Sequence, residues 1–251
     1  MKLMKGSEPS FMTAAEAAQR KGYAAQSELA LRDGLELILR QRLPEARVVH
    51  ELVMGAREVR ADVVAIAPAH IAAVEVKGAY DNVTRLMHQV GMFQLCVPEV
   101  WICCAKEHAE DARLIRHLLP SVGLIVGANL DKHYHRGETV KPLELEIEAE
   151  PQPRAVVPEM MLEMLWAEEL RSACHTLKIS VTATTTRPRC IAALLELAKP
   201  EELIAVTCQQ LRARDALWRA DDPILRGNRQ RAVAELEASH GGELFSEGAE
   251  A

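Results

Sequence analysis

Asp62, Glu75 and Lys77 are the residues whose types and spacing could do chemistry. They lie in "RADVVAIAPAHIAAVEVKG", where Asp62 opens one apolar run and Glu75-Val76-Lys77 closes the next. Alternate residues of a strand share a face, so Glu75 and Lys77 point one way while Val74 and Val76 point the other, into a core. If the two runs pair through the tight "APAH" turn, Asp62 arrives beside this pair near the sheet end. Two carboxylates that close repel each other, and a divalent cation between them makes both favourable as anions. Few, hard oxygen ligands open to water suit Mg²⁺ or Mn²⁺. Such an ion could orient and deprotonate a water for in-line attack on a phosphodiester, and Lys77 could hold that water or the phosphate. The competing reading is a solvated ion pair on one strand face, worth well under ~1 kcal/mol. The apolar setting "IAAVEVKG" argues against free exposure.

The elements that must position these residues can be read from periodicity. "SELALRDGLELILRQRL", residues 27 to 43, places Leu31, Leu35, Ile38 and Leu39 on one stripe, which predicts a helix beginning near Ser27 and ending before Pro44. "RVVHELVM", "ADVVAI" and "IAAVEVKG" are short β-branched runs and predict three consecutive strands. "DNVTRLMHQVGMFQLC" predicts a helix capped near Asp81. "EVWICCA", "HAEDARLIRHLL" and "VGLIVGAN" predict a strand, a helix and a last strand. The first three strands arrive without crossover helices, so the fold class expected is α/β, a mixed β-sheet flanked by helices. Residues 131–157 are acidic and then proline-rich and predict a strand or extended arm followed by a linker. Residues 158–238 predict a small all-α domain, 1–26 an N-terminal extension, 27–130 the core and 239–251 a flexible tail.

Composition excludes little. The chain has 251 residues, 49% hydrophobic and 26% charged, enough for one full core. The net charge of −6 argues against a protein coated in basic surface but leaves room for a nucleic-acid enzyme with an acidic site. No stretch reaches the roughly eighteen apolar residues of a membrane span, and the first residues lack a signal-peptide core, so no membrane association and a cytoplasmic location are expected. Cys96, Cys103, Cys104, Cys174, Cys190 and Cys208 form no CxxC pair and read as buried thiols.

Arg60-Ala61-Asp62, Glu75-Val76-Lys77, the acidic helix before them and the helix bearing Arg85 and Gln89 after them resemble the PD-(D/E)XK nuclease superfamily, the restriction-endonuclease-like fold. "HEL", "RADVV", "VEVKGAYDNVTRLMHQV" and "VWICCAKEH" resemble a mostly uncharacterised bacterial and phage branch of it. The resemblance covers residues 28 to 128. It implies that Asp62 and Glu75 ligate the metal with the Val76 carbonyl, and that Lys77 is the motif lysine. Many members add an acid from the first helix or strand; Glu51 and Glu36 compete for that role, with Glu51 preferred. Gln89 resembles a glutamine that some branches place beside the metal, and Arg60 and Arg85 are candidates for contact with nucleic acid. Ala61 stands where the superfamily's name has Pro, which affects the turn and not the ligand.

Other signals are weaker. His133 and His135 sit at strand spacing with no third ligand in view and read as a polar loop. Arg187, Arg189, Arg212, Arg214, Arg219, Arg226, Arg229 and Arg231 crowd the helical segment, where an arginine face for phosphates competes with solvated helix surface. "LWAEELRSACHTLKISVTATTTRPRCIAALLELA" faintly resembles a helix-extended-loop-helix DNA-binding module. The expected function is a Mg²⁺- or Mn²⁺-dependent nuclease acting on DNA, with RNA not excluded and a homodimer left open by the resemblance. The alternative is a catalytically silent module of the same fold that binds nucleic acid or a partner.

Overall fold

The computed structural model describes residues 14–55, 58–127, 144–215, 220–222 and 224. Six strands form one sheet in the order β1-β2-β3-β4-β5-β6: β1 (Arg47–Met54), β2 (Val59–Ala67), β3 (His70–Lys77), β4 (Glu99–Ala105), β5 (Gly123–Gly127) and β6 (Leu145–Ala149). The β1-β2, β2-β3 and β5-β6 pairs are antiparallel, and β3-β4 and β4-β5 are parallel. Parallel strands need a crossover, and α2 (Leu86–Cys96) and α3 (Ala109–Leu118) supply the two. This is the expected α/β class with a mixed sheet. β4 and β5 are buried throughout, as central strands covered on both faces should be.

The two faces carry different cores. Helix α1 (Ala14–Arg42) lies on one, where Leu31, Leu35 and Leu39 pack on Val63, Val74, Val76 and Trp101. Gly123 is the only residue type that fits under that indole, since a Cβ there would stand 2.4 Å from the ring. The other face takes α2, α3 and the helical segment, whose α4 (Pro158–Leu162), α5 (Ala167–Thr176), α6 (Arg187–Leu197) and α7 (Pro200–Ala213) share a single apolar cluster with the sheet. Burial of that cluster is the main stabilising contribution, at roughly 25 cal/mol per Å² of apolar surface.

Several expectations are corrected. Helix α1 starts at Ala14, not near Ser27, because "AAEAAQRKGYAAQ" is rich in helix formers that extend the register backward. Helix α2 starts at Leu86 rather than near Asp81. The Asp81 carboxylate instead accepts the Gly78 amide at 2.6 Å, and Asn82 accepts the Thr84 amide at 2.7 Å, which closes two turns before the helix. Within 131–157, the strand alternative holds for β6, which is the sixth strand of the sheet. The stretch after it is pinned, its Gln152, Arg154 and Val157 amides donating to the Ser121, Pro98 and Leu95 carbonyls. All six cysteines are buried and unpaired, and burial pushes the Cys104 and Cys208 thiols up to about 12. No helix among the described residues is long and apolar enough to cross a membrane.

Candidate active site

The β2-β3 ladder ends at the Val63 and Val74 pair, while β1-β2 continues to Met54 and Val59 and β3-β4 continues to Lys77 and Cys104. The sheet therefore forks. Asp62 and Glu75, next in register, stand at the fork. With no β2 partner beyond that point, the Val76 amide is taken by Asp62 Oδ2 at 2.7 Å. The alternation of β1 and β2 also slips by one at this level: Val49 and Leu52 face the same cluster, as do Ala61 and Val64. Between them Glu51 adopts φ 59°, a left-handed conformation that costs a non-glycine residue on the order of 1 kcal/mol. The slip lets Glu51 and Asp62 meet a common partner.

That partner is Arg32 of α1, which reading the sequence missed. Its Nη2 lies 2.9 Å from Asp62 Oδ1, 2.9 Å from Glu51 Oε1 and 2.8 Å from Glu28 Oε1, and its Nη1 donates to the Asp62 carbonyl at 2.9 Å. The Nη1 atom also stands 3.4 Å from His50 Nδ1, and His50 Nε2 is 2.9 Å from Glu36 Oε1. Glu36 is further paired with Arg40, so its carboxylate is committed on the α1 side of β1. Glu51 is paired with Arg32 and with Arg60, and does not line the cavity described next.

Glu75 faces the other way, under α2. Its Oε1 accepts Lys77 Nζ at 2.7 Å and Gln89 Nε2 at 2.6 Å. Its Oε2 is buried and has no hydrogen-bond partner among the described residues, although the residue is only 2% exposed. Burial first, and then the nearby Asp62 carboxylate, push Glu75 up to about 7 against the opposing pull of Lys77 and Gln89. Burial raises Asp62 too, opposed by the Val76 amide and Arg32. The fork opens into a cavity of about 490 Å³. Asp62, Glu75, Lys77 and Gln89 form its floor, and Arg60, Arg85 and two residues the sequence did not single out, Glu58 and His88, line it. Arg60 is mostly exposed, and the side chain of Arg85, also exposed, makes no hydrogen bond or ion pair among the described residues.

Among the described residues no group of three or more His, Cys, Asp or Glu side chains is arranged as a metal cage. Mg²⁺ does not require one, because it commonly takes one or two carboxylates and completes its shell with water and phosphate oxygens. The unpartnered Glu75 Oε2 fits a cation. Asp62 has both oxygens hydrogen-bonded but keeps further lone pairs.

Of the other candidates, His133, His135, Arg219, Arg226, Arg229 and Arg231 lie outside the described residues. Three of the remaining arginines are tied into the protein. Arg187 donates to the Leu165 and Glu163 carbonyls, Arg212 to the Glu45 carbonyl, and Arg214 grips Glu169 and stacks on Trp166. Arg189 is exposed.

No curated protein and no solved structure matches the chain. The family of bacteriophage P4 protein cII matches residues 35–236, a span that takes in every strand, the forked site and the helices from α2 onward. The chain therefore belongs to the bacteriophage P4 protein cII family.

Proposed function

We propose that this protein is a divalent-metal-dependent nuclease that hydrolyses phosphodiester bonds, with DNA as the substrate and the fork between β2 and β3 as its active site. One observation carries the reading: Asp62, Glu75 and Lys77 line one open cavity, and Glu75, though buried, keeps one oxygen without a hydrogen-bond partner. Asp62 and Glu75, with the Val76 carbonyl, would hold Mg²⁺ or Mn²⁺. When bound, that ion supplies Lewis-acid stabilisation of the charge that builds on the phosphate oxygens. The ammonium of Lys77 stands at the cavity floor, where it can donate to an attacking water or to a phosphate oxygen. Gln89 fixes the rotamer of Glu75. Arg60 and Arg85 sit at the cavity wall and can pair with flanking phosphates, fixing the register of the strand without reading its bases. The restriction-endonuclease-like fold fits the same constellation.

A second reading has its own support. Both oxygens of Asp62 are already hydrogen-bonded, by Arg32 and by the Val76 amide, which suits a silent module that binds nucleic acid or a partner. Incubation of the full chain with labelled linear, nicked and single-stranded DNA and with RNA, in Mg²⁺, Mn²⁺ or EDTA, separates the two. Metal-dependent cutting that disappears in Lys77→Ala and in Glu75→Gln supports the nuclease. Undiminished cutting in both variants, or binding without cutting in any metal, refutes it.

A further inference from the structure

The charged groups at the fork are recessed. The side chains of Glu75, Lys77 and Asp62 are 2%, 12% and 18% exposed, at the floor of a cavity of about 490 Å³. That volume lies in the range of pockets that take one small molecule. Two walls of different chemistry enclose it. One is the end of the β1-β2 ladder, where Val53 stands opposite Arg60, with Glu58 two residues before Arg60. Val53 is 43% exposed, an apolar side chain left open at the cavity wall, and the two charges beside it are opposite in sign. The other wall is the start of α2, where Arg85 precedes the helix and His88 lies one turn on. Both are exposed, and neither side chain has a hydrogen-bond or ion-pair partner among the described residues. The α2 wall thus offers a guanidinium and an imidazole that nothing else uses, and the ladder wall offers an apolar surface.

A DNA duplex fits this asymmetry poorly. It carries phosphates along both edges of each groove and keeps the faces of its bases stacked inside. To bring one phosphate down to a recessed floor, it must unpair and extrude the nucleotide, which costs energy. An unpaired strand is already open, with phosphates along one edge and free bases along the other. We propose that the cavity takes a single, unpaired DNA strand, its phosphates along Arg85 and His88 and its sugar and base side against Val53. Fully paired duplex then reaches the floor only after local opening. The cleavage preference rests on the nuclease reading; the binding preference rests on the two walls alone.

The test gives the full-length protein one labelled oligonucleotide as a single strand, as a blunt duplex and as a duplex with an internal unpaired bubble. In Mg²⁺ or Mn²⁺ the single strand and the bubble should be cut about a hundred-fold faster than the blunt duplex, the rate equivalent of unpairing a nucleotide. Cuts in the bubble substrate should fall within its unpaired stretch. In EDTA, fluorescence anisotropy should show the single strand held about ten-fold more tightly than the duplex, although the duplex carries the denser charge. A duplex cut within about ten-fold of the single strand, or bound as tightly, overturns the proposal and leaves the nuclease reading standing. If nothing is cut in any metal, the nuclease reading fails and the binding ratio alone decides: a tighter single strand upholds the proposal, and equal binding or none overturns it. Val53→Asp places a negative charge on the ladder wall and should weaken single-strand binding about ten-fold, and His88→Ala should weaken it a few-fold. Unchanged single-strand binding in both variants rejects the proposal. The wild-type substrate comparison stands whether or not either variant folds.

Discussion

Glu75 and Glu99 are two buried glutamates on adjacent parallel strands, 2% and 7% exposed, and they differ in almost everything else. Glu99 opens β4 with both oxygens satisfied, by Trp101 Nε1 at 2.6 Å and His70 Nε2 at 2.8 Å. Burial pushes its carboxyl up, but the hydrogen bonds from His70 and Trp101 outweigh that, and the net shift is downward. Glu75 closes β3 with one oxygen satisfied and one left bare, and its net shift is upward. Burial of a carboxylate is therefore not what marks a site. What marks it is a hydrogen-bond shell that stops short of completion beside an open cavity.

The comparison can be broken most forcefully by exchanging function for stability. Glu75→Gln should lower metal-dependent cleavage by on the order of a thousand-fold while leaving the protein folded, because the amide cannot neutralise a cation. Glu99→Gln should leave cleavage within about two-fold and cost about 1–3 kcal/mol of unfolding free energy, because the amide cannot accept from both His70 and Trp101 as a carboxylate does. Cleavage rates and urea unfolding on the same two variants check the pair. Equal effects on both readouts would erase the distinction.

The two acids should also pull stability in opposite directions with pH. A carboxyl raised on folding contributes stability that is complete below its unfolded value of 4.5 and is lost as pH rises through about 7. A carboxyl lowered on folding contributes stability present above 4.5 and lost as pH falls through its depressed value. In EDTA, thermal melts of the wild type between pH 5 and 8 should fall by several degrees more than those of Glu75→Gln. Glu99→Gln should instead flatten the decline below about pH 4.5. A wild type and Glu75→Gln with parallel profiles would show that Glu75 is not destabilised by its surroundings.

Smaller effects should follow from the groups around Glu75. Gln89→Ala frees Oε1 from one of its two donors and should reduce cleavage about ten-fold, with at most ~1 kcal/mol lost in stability. Arg85→Ala removes an exposed cation from the cavity wall. It should weaken DNA binding a few-fold and reduce the slope of log affinity against log salt by about one, with the cleavage rate at saturation little changed.

Much of the framework was legible from period alone. The β-branched runs gave β1 to β5, and the stripes gave α2, α3 and the body of α1, because each element buries one continuous face. Asp62, Glu75 and Lys77 meet as their spacing suggested, since a hairpin is local geometry, and Gln89 joins them as the resemblance implied. What escaped was non-local or irregular. The slip at Glu51 and Asp62 breaks the two-residue alternation on which strand reading depends, so the facing of the acids could not be derived. Arg32 was hidden in plain view: Glu28, Arg32, Glu36 and Arg40 form a ladder of alternating charge four residues apart. Such ladders usually face solvent. This one lies against β1 and β2, as the apolar stripe at Leu31, Leu35 and Leu39 beside it could have signalled.

Arg47 ties the far end of the described chain to the first strand. Its buried guanidinium donates to the carbonyls of Leu211, Arg212, Arg214 and Asp221, while Asp221 grips Arg40 and the Val48 amide, and Ala220 bridges Val49. These contacts join residues some 164 to 181 positions apart. During synthesis, then, β1 can pair with β2 early, but its outer edge stays open until residue 221 has left the ribosome. An unpaired edge invites pairing with other chains. A chain shortened before Asp221 would keep that edge open for good, and its first failing should be self-association during folding, ahead of any loss at the fork.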